Sequence, residues 1–102
     1  MHLNLNITDR DITLGQRANP SECAIARAIK RNRSIKTASV SVFYDKCVVR
    51  AIEKGKTVSY VGRLPDQAST FVHQFDHFKA VCPMSFSVKL NKATKAEHYL
   101  VK

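Results

Sequence analysis

Apolar and polar residues alternate in several segments of the chain, and this period of two limits the possible folds more than any other feature. The alternation is clear over residues 3–7 and again over 84–90. Such a pattern is typical of a strand that buries one face. Residues 35–62 predict two or three further antiparallel strands, joined by short connections at 45–46 and 53–56. The sequence therefore predicts a sheet of four or five strands.

Three other segments carry helix signals. Thr8 is a candidate N-cap for a short helix that ends near Gly15. Asn19-Pro20 has the residues of a helix start, a cap followed by proline, and predicts a helix to about Arg31. After Leu64-Pro65, apolar residues recur at helical spacing and predict a second long helix. Its apolar stripe, which we expect at the centre of the core, consists of Ala68, Phe71, Val72, Phe75 and Phe78.

The predicted order of elements is β-α-α-β-β-β-α-β, which indicates the α+β class. We expect an antiparallel or mixed sheet of four or five strands, covered on one face by two helices. A length of 102 residues suits one hydrophobic core. Residues 1–90 are therefore predicted to form a single α+β domain, and residues 91–102 a basic C-terminal tail.

The sequence predicts neither a membrane span nor a secretory segment. No apolar run reaches the roughly 18 to 20 residues of a transmembrane helix, and the N-terminal residues lack the regions of a signal peptide. The three cysteines, Cys23, Cys47 and Cys82, are widely spaced, which favours reduced thiols over disulfides or a zinc site. We expect a cytoplasmic protein without a metal or other cofactor.

Net charge is the least ordinary bulk property of the chain. Lys and Arg number 17 against 8 Asp and Glu, a formal charge of +9 at pH 7. Charge of this sign attracts nucleic acid or an acidic protein surface. The cations concentrate in residues 17–36 and in the tail. We predict that the partner is nucleic acid or an acidic protein, and we predict no contact with a membrane. The residues predicted to bind the partner are Arg17, Arg27, Lys30, Arg31, Arg33, Lys36, Lys92 and Lys95.

The helix predicted over residues 19–31 carries much of this charge. Its isoleucines share one face of a helical wheel, whereas Arg27, Lys30 and Arg31 fall on the opposite side. Arginine makes bidentate contacts with phosphate, and each neutralised phosphate releases counterions. We therefore expect reversal of these three charges to abolish function without loss of folding. A solvated helix face is one alternative, and a helix-turn-helix over residues 8–31 is another.

Patterns typical of catalysis or metal binding give weaker indications. His73 and His77 stand four residues apart on the second long helix, and Cys82 follows five residues later, so these three side chains are candidate metal ligands. The sequence offers no obvious fourth ligand. Cys23, near Arg27 at a helix start, has features of an activated thiol but needs a positioned base. No Gly-rich phosphate loop or hydrolase motif occurs, so we expect a protein that is not an enzyme.

Four aromatic residues have the chemistry for stacking on nucleic-acid bases: Phe43, Tyr44, Tyr60 and Tyr99. The alternation of the strands assigns at least half of them to the core. Pairing of two copies through an exposed sheet edge is a further open interpretation, and it predicts a homodimer.

Five short motifs are spread along residues 7–90. They are Ile12-x-x-Gly15, Cys23-Ala24-Ile25-Ala26-Arg27-Ala28, Leu64-Pro65, Phe71-x-x-x-Phe75-Asp76 and Val81-x-Pro83-x-Ser85-Phe86. Together they resemble the motifs I-x-x-G, C-P-[IV]-A-x-A-[LI], L-P, F-[IV]-x-x-F-D and V-x-P-x-x-F of a group of small phage-encoded proteins. Ala24 stands where the group has proline, and His77-Phe78-Lys79 stands where a glycine is frequent.

The resemblance implies a phage accessory protein that acts in the host cytoplasm, on host machinery or on nucleic acid. It supplies no catalytic residue. Together with the charge, it predicts a non-enzymatic module that binds nucleic acid or a nucleoprotein complex through the cationic helix face. The alternative is a protein-binding inhibitor of a host system, such as an anti-CRISPR or a host-takeover factor, acting on an acidic protein surface.

Overall fold

Five strands and three helices follow one another along residues 1–93, the part of the chain that this computed structural model describes. The elements are β1 (His2–Ile7), α1 (Asp9–Leu14), α2 (Ala24–Arg31), β2 (Thr37–Val42), β3 (Lys46–Glu53), β4 (Lys56–Arg63), α3 (Asp66–Asp76) and β5 (Met84–Lys92). All neighbouring strands are antiparallel, in the sheet order β1-β5-β4-β3-β2. The α+β class and an antiparallel five-stranded sheet are therefore confirmed.

The sheet curls around α2, which packs against both β1 and β2, the two outermost strands. β5 makes this curl possible because its first part pairs with β1, whereas Leu90 to Lys92 pair with β4. Gly62 permits the close approach of the two strands. A Cβ at this position would lie 2.6 Å from Leu90 Cδ2 and 2.8 Å from Val88 Cγ2, so any side chain would push β4 and β5 apart.

The strands bury alternate residues, as the period of two predicts. In β1, Leu3, Leu5 and Ile7 are at most 2% exposed, and the polar residues between them face solvent. The same face continues through the other strands, and α2 packs on it. The core residues that the strands contribute are Leu3, Leu5, Ile7, Val40, Val42, Cys47, Val49, Ala51, Tyr60, Phe86, Val88 and Leu90.

The apolar stripe of α3 belongs to the core but is shorter than the sequence predicts. Ala68, Phe71, Val72 and Phe75 are buried, and the rings of Phe71 and Phe75 stack with centroids 5.9 Å apart. Phe78 is 76% exposed, because α3 ends before it and the backbone turns into the left-handed region. The prediction that Phe78 lies in the core is wrong.

The short first helix begins as predicted, with a reciprocal cap. Thr8 Oγ1 accepts a hydrogen bond from Asp11 N at 3.2 Å, and Asp11 Oδ2 accepts one from Thr8 N at 3.0 Å. These two bonds satisfy amide groups that have no partner inside the helix. The cap also fixes the direction of the Asp11 side chain, which matters for the site below.

The second helix begins at Ala24, so the predicted start at Asn19-Pro20 is wrong. Asn19 uses its side chain locally, because its Oδ1 accepts a hydrogen bond from Ser21 N at 3.2 Å. Pro20 O accepts one from Val42 N at 2.8 Å, which ties the segment to β2. These contacts hold residues 19–22 in a turn instead of a helix.

β5 extends to Lys92, so Asn91 and Lys92 of the predicted tail belong to the sheet. Residues 94–102, with the predicted contact residue Lys95 and the aromatic Tyr99, lie outside the described residues. Within residues 1–93, no helix has the length and apolar character needed to cross a membrane.

Candidate nucleic-acid interface

A buried carboxylate, Asp11, organises the cationic face of α2. Asp11 is 0% exposed. Arg31 donates hydrogen bonds to both of its oxygens, at 2.5 Å to Oδ1 and 2.8 Å to Oδ2, and Arg27 Nε lies 3.5 Å from Oδ1. Arg31 also donates to the carbonyl of Asn6 at 2.8 Å. Two of the three cations predicted on the free helix face therefore surround a carboxylate and join α2 to α1 and β1.

These contacts keep Asp11 ionised. Burial raises the pKa of Asp11, but the hydrogen bonds from Arg31 and Thr8 and the charge of Arg31 outweigh burial and hold the pKa below its usual 3.8. The same hydrogen bonds raise the pKa of Arg31. Arg27 Nε is buried without a hydrogen-bond partner in the described part of the chain, so its attraction to Asp11 is electrostatic.

Lys30 and Arg17 also have partners inside the protein. Lys30 Nζ lies 3.0 Å from Glu22 Oε1. Arg17 Nη1 donates hydrogen bonds to the carbonyls of Phe75 and Lys79, at 2.5 Å and 3.2 Å, just where α3 ends. Arg17 therefore satisfies carbonyl groups at the end of a helix, and its charge is favourable there.

This arrangement changes the expected effect of charge reversal on α2. A glutamate at position 27 or 31 would place a second carboxylate beside buried Asp11 and remove the cation that compensates it. An uncompensated buried charge is strongly destabilising. Reversal of Arg27 and Arg31 is therefore expected to disrupt folding, in contrast to the expectation from the sequence.

Arg33 lies beyond α2, beside a shallow depression of about 170 Å³ between the helix end and the edge of β1. The residues that line the depression are Asn4, Leu5, Asn6, Ala28, Arg31, Asn32 and Arg33, and none of them is acidic. Two of them protect the outer edge of β1: Asn32 Nδ2 donates to the Asn4 carbonyl at 3.0 Å, and Arg31 donates to the Asn6 carbonyl. These bonds occupy groups that a second copy of the chain would need for edge-to-edge pairing.

The open face of the sheet, formed by strand side chains that point away from the core, carries cations and no carboxylate within residues 1–93. Its members are His2, Asn4, Asn6, Ser39, Ser41, Lys46, Val48, Arg50, Ile52, Thr57, Ser59, Val61, Arg63, Ser85, Ser87, Lys89 and Asn91. The asparagines of β1 accept hydrogen bonds from the hydroxyls of Ser85 and Ser87. The face is therefore basic, with three partly buried apolar residues, Val48, Ile52 and Val61, among its polar and charged members.

Four of these residues, Lys46, Arg63, Lys89 and His2, form what we call the basic row across β3, β4, β5 and β1. Lys46 is the register partner of Arg63, and Lys89 is the partner of His2. Arg63 and Lys89 each lie one position beyond the Gly62–Leu90 pair on adjoining strands. With strands about 4.8 Å apart, the row spans roughly 15 Å. Like charges on opposite residues destabilise a sheet, so a bound anion would offset this repulsion.

Lys36 and Lys92, two of the residues predicted from the sequence, are exposed at other ends of the sheet. The carbonyl of Lys36 accepts a hydrogen bond from Ile52 N at 2.8 Å, which places Lys36 beside β3. Lys92 pairs with Tyr60 at the end of β5. The cations of the basic row were not identified from the sequence, because only the strand register brings them together.

The aromatic residues divide between the core and the surface. Tyr60 is buried and donates a hydrogen bond to Glu53 Oε2 at 2.6 Å, which raises the pKa of Tyr60. Phe43 is half-buried, with Lys46 Nζ 5.9 Å from its ring centroid. Tyr44 is 58% exposed. Tyr44 therefore offers a ring to a ligand, whereas Tyr60 does not.

Nucleophilic and metal-binding chemistry finds little support in the geometry. Cys23 is buried at the start of α2, and burial raises its pKa above the usual value. Burial also raises the pKa of Cys47 to about 12. The rings of His73 and His77 lie 4.2 Å apart, but no group of three or more His, Cys, Asp or Glu side chains in residues 1–93 is placed to hold a metal ion.

A comparison of the chain with protein-family models, with curated proteins and with solved structures finds no match. The functional assignment therefore depends on the contacts and charges described above, and the kinship with phage proteins stays a prediction.

Proposed function

We propose that the protein is a non-enzymatic module that binds nucleic acid through the open face of its sheet, with the basic row as the main contact for phosphates. The observation that carries this proposal is the placement of Lys46, Arg63 and Lys89 on three adjoining strands, on a face without a carboxylate in the described chain. In this arrangement α2 packs on the opposite face of the sheet, against β1 and β2.

The chemistry of the face fits a polyanion. Each phosphate that a lysine or arginine neutralises releases counterions, which makes binding favourable and dependent on salt. Hydroxyl and amide side chains, such as those of Ser59, Thr57 and Asn91, are common donors to phosphate and sugar oxygens. These contacts carry no base-specific information, so we expect little dependence on sequence from this face alone.

Three of the residues predicted from the sequence keep a place in this proposal. Arg33, Lys36 and Lys92 are exposed and add positive charge around the sheet. Arg17, Arg27, Lys30 and Arg31 have structural partners, and we assign them a supporting role. A phage origin and a location in the host cytoplasm remain proposals that rest on the motif resemblance.

Fluorescence anisotropy of labelled single-stranded and duplex oligonucleotides at two salt concentrations tests the proposal. Arg63→Glu places a carboxylate opposite Lys46, so the sheet gains a favourable cross-strand pair while the binding face loses charge. We expect weaker binding and a smaller salt dependence. Because Asp45 and Asp66 line the same depression as Arg63, urea unfolding of the variant is measured alongside binding to show that it is folded. Arg10→Glu is the matched control, because it makes the same charge change on exposed α1. Absence of binding by the unaltered protein at micromolar concentration contradicts the proposal.

The second candidate is an inhibitor of a host system that binds an acidic protein surface. Exposed Tyr44 favours it, because Tyr44 and Arg63 line one depression and both residue types are enriched in protein interfaces. Asp45 and Asp66 line the same depression and reduce its positive charge. A pull-down from host lysate with and without nuclease separates the two candidates: a stoichiometric partner that survives nuclease supports the inhibitor.

A further inference from the structure

The turn after α3 places Phe78 in an unfavourable backbone conformation. Phe78 N donates to Phe75 O at 3.2 Å and Lys79 N donates to Gln74 O at 2.9 Å. These are the two hydrogen bonds of a Schellman motif, with Phe78 in the left-handed position at φ 60°. Glycine is usual at this position because a Cβ is strained there. A bulky aromatic residue at positive φ is a strong outlier.

Packing of the ring does not explain its presence, because 76% of Phe78 is exposed. A strained and exposed aromatic ring contributes little to the stability of the fold. Backbone strain of this kind is concentrated at functional sites, where the side chain is needed for another purpose. Ala18 and Lys54 also have positive φ, so the conformation alone does not distinguish Phe78. Its combination with a bulky, exposed ring indicates an intermolecular role.

Arg17 holds the exposed ring in place. Its guanidinium carbon lies 4.4 Å from the ring centroid of buried Phe75 and 5.6 Å from that of Phe78. Hydrogen bonds to the carbonyls of Phe75 and Lys79 fix the guanidinium itself. Arg17 therefore supports Phe78 from the side of the core, and most of the ring surface remains in contact with solvent.

The surroundings of Phe78 favour a nucleic-acid base over an apolar protein pocket. The neighbouring Gln74, His77 and Lys79 are exposed and polar, and the exposed apolar residues that follow, Ala80 and Pro83, are small. Asp76 Oδ1 accepts a hydrogen bond from a backbone amide, that of Ala18, at 3.0 Å. Stacking needs only one flat ring with cations nearby, whereas a protein interface has an extended apolar centre.

We propose that Phe78 is a stacking platform for a base of single-stranded nucleic acid, with the cation of the adjacent Lys79 close to its phosphates. This inference rests on the proposed function and adds to it the class of ligand, a strand with unpaired bases. The bases of a duplex are already stacked on one another, so the platform discriminates between the two forms.

Phe78→Gly removes the ring and also relieves the strained backbone. We expect its affinity for a single-stranded oligonucleotide to fall roughly 5- to 150-fold, the range for loss of one base stack, with duplex affinity and salt dependence unchanged. Phe78→Ala is the matched control for stability, because it removes the ring but keeps the strained Cβ. It should bind as weakly as Phe78→Gly while unfolding more easily, which separates loss of binding from loss of stability.

Phe78→Trp provides a direct probe, because the chain contains no tryptophan. We expect saturable quenching of its fluorescence by the single-stranded oligonucleotide and no quenching of a tryptophan placed at exposed Thr13 on α1. If the unaltered protein binds and Phe78→Gly binds equally well, the platform is wrong while the proposed function stands. If Phe78→Gly weakens single-stranded and duplex binding equally, the proposal that Phe78 stacks on an unpaired base is also wrong. If the unaltered protein binds no nucleic acid, both proposals fall.

Discussion

Replacing Asp11 by asparagine tests the structural role assigned to the cations of α2. An asparagine side chain has nearly the same shape as the aspartate carboxylate but no charge. The Asp11→Asn change leaves Arg31 and Arg27 without the carboxylate they surround, and the new amide nitrogen meets guanidinium N–H groups instead of accepting from them. We therefore expect a large loss of stability from a nearly isosteric change.

The magnitude follows from the burial of each partner. Removing one member of a buried ion pair costs about 3 to 5 kcal/mol. Asp11 is fully buried, but the side chains of Arg31 and Arg27 remain 49% and 30% exposed, so water compensates part of the loss. We expect a decrease of about 3 kcal/mol in the free energy of unfolding. For a domain of this size, that decrease corresponds to a shift of Tm by roughly 12 to 24 °C.

The pH dependence of the effect has a definite sign. The pKa of Asp11 is lower in the folded protein than its usual 3.8, so the unfolded chain binds the proton more readily. The stability from this carboxylate is fully present above the usual pKa and is lost as the pH falls through the folded pKa. The difference between the unaltered protein and Asp11→Asn should therefore narrow below pH 3.8.

Urea denaturation followed by far-ultraviolet circular dichroism measures this difference. Asp9→Asn is the matched control: Asp9 lies in the same first turn but is exposed, so only its interaction with the helix dipole is lost. That loss is expected to be at most about 1 kcal/mol. If the free energy of unfolding of Asp11→Asn is within about 1 kcal/mol of that of the unaltered protein, the reasoning about the buried pair is refuted.

Two further predictions concern thiols and packing. Under native conditions, exposed Cys82 should react with a thiol reagent much faster than Cys23 and Cys47, because those two thiols are buried and have raised pKa values. Three thiols that react equally fast in an Ellman assay would contradict this prediction. Gly62→Ala should destabilise the fold by about 1 to 3 kcal/mol, because its Cβ would lie 2.6 Å from Leu90 Cδ2. Unchanged urea unfolding would show that β4 and β5 can separate at little cost.

The strands were predictable because period-two alternation reports directly which face is buried. Leu3, Leu5 and Ile7 need no distant partner to indicate a strand. The start of α2 was not predictable in the same way. Asn19-Pro20 has the local chemistry of a helix start, but the hydrogen bond between Pro20 O and Val42 N depends on where β2 lies.

The candidate sites depend even more on contacts that are distant in sequence. From the sequence alone, Arg31 is expected to be a surface cation. In the structure it pairs with Asp11, which lies twenty residues earlier in the chain and is buried. Local sequence gives no sign that an acidic residue in a capping position is fully enclosed. Phe78 continues the helical spacing of the α3 stripe, and only the end of the helix removes it from the core. Spacing predicts a face, but it does not predict where an element stops.

Salt-dependent binding of a single-stranded oligonucleotide by the unaltered protein and by Arg63→Glu tests the central claim most directly. The account predicts that the unaltered protein binds, that its affinity falls steeply between low and physiological salt, and that Arg63→Glu binds more weakly with a shallower slope. Arg10→Glu should retain the slope of the unaltered protein. Equal binding and equal slopes for Arg63→Glu and the unaltered protein would contradict an interface on the open face of the sheet.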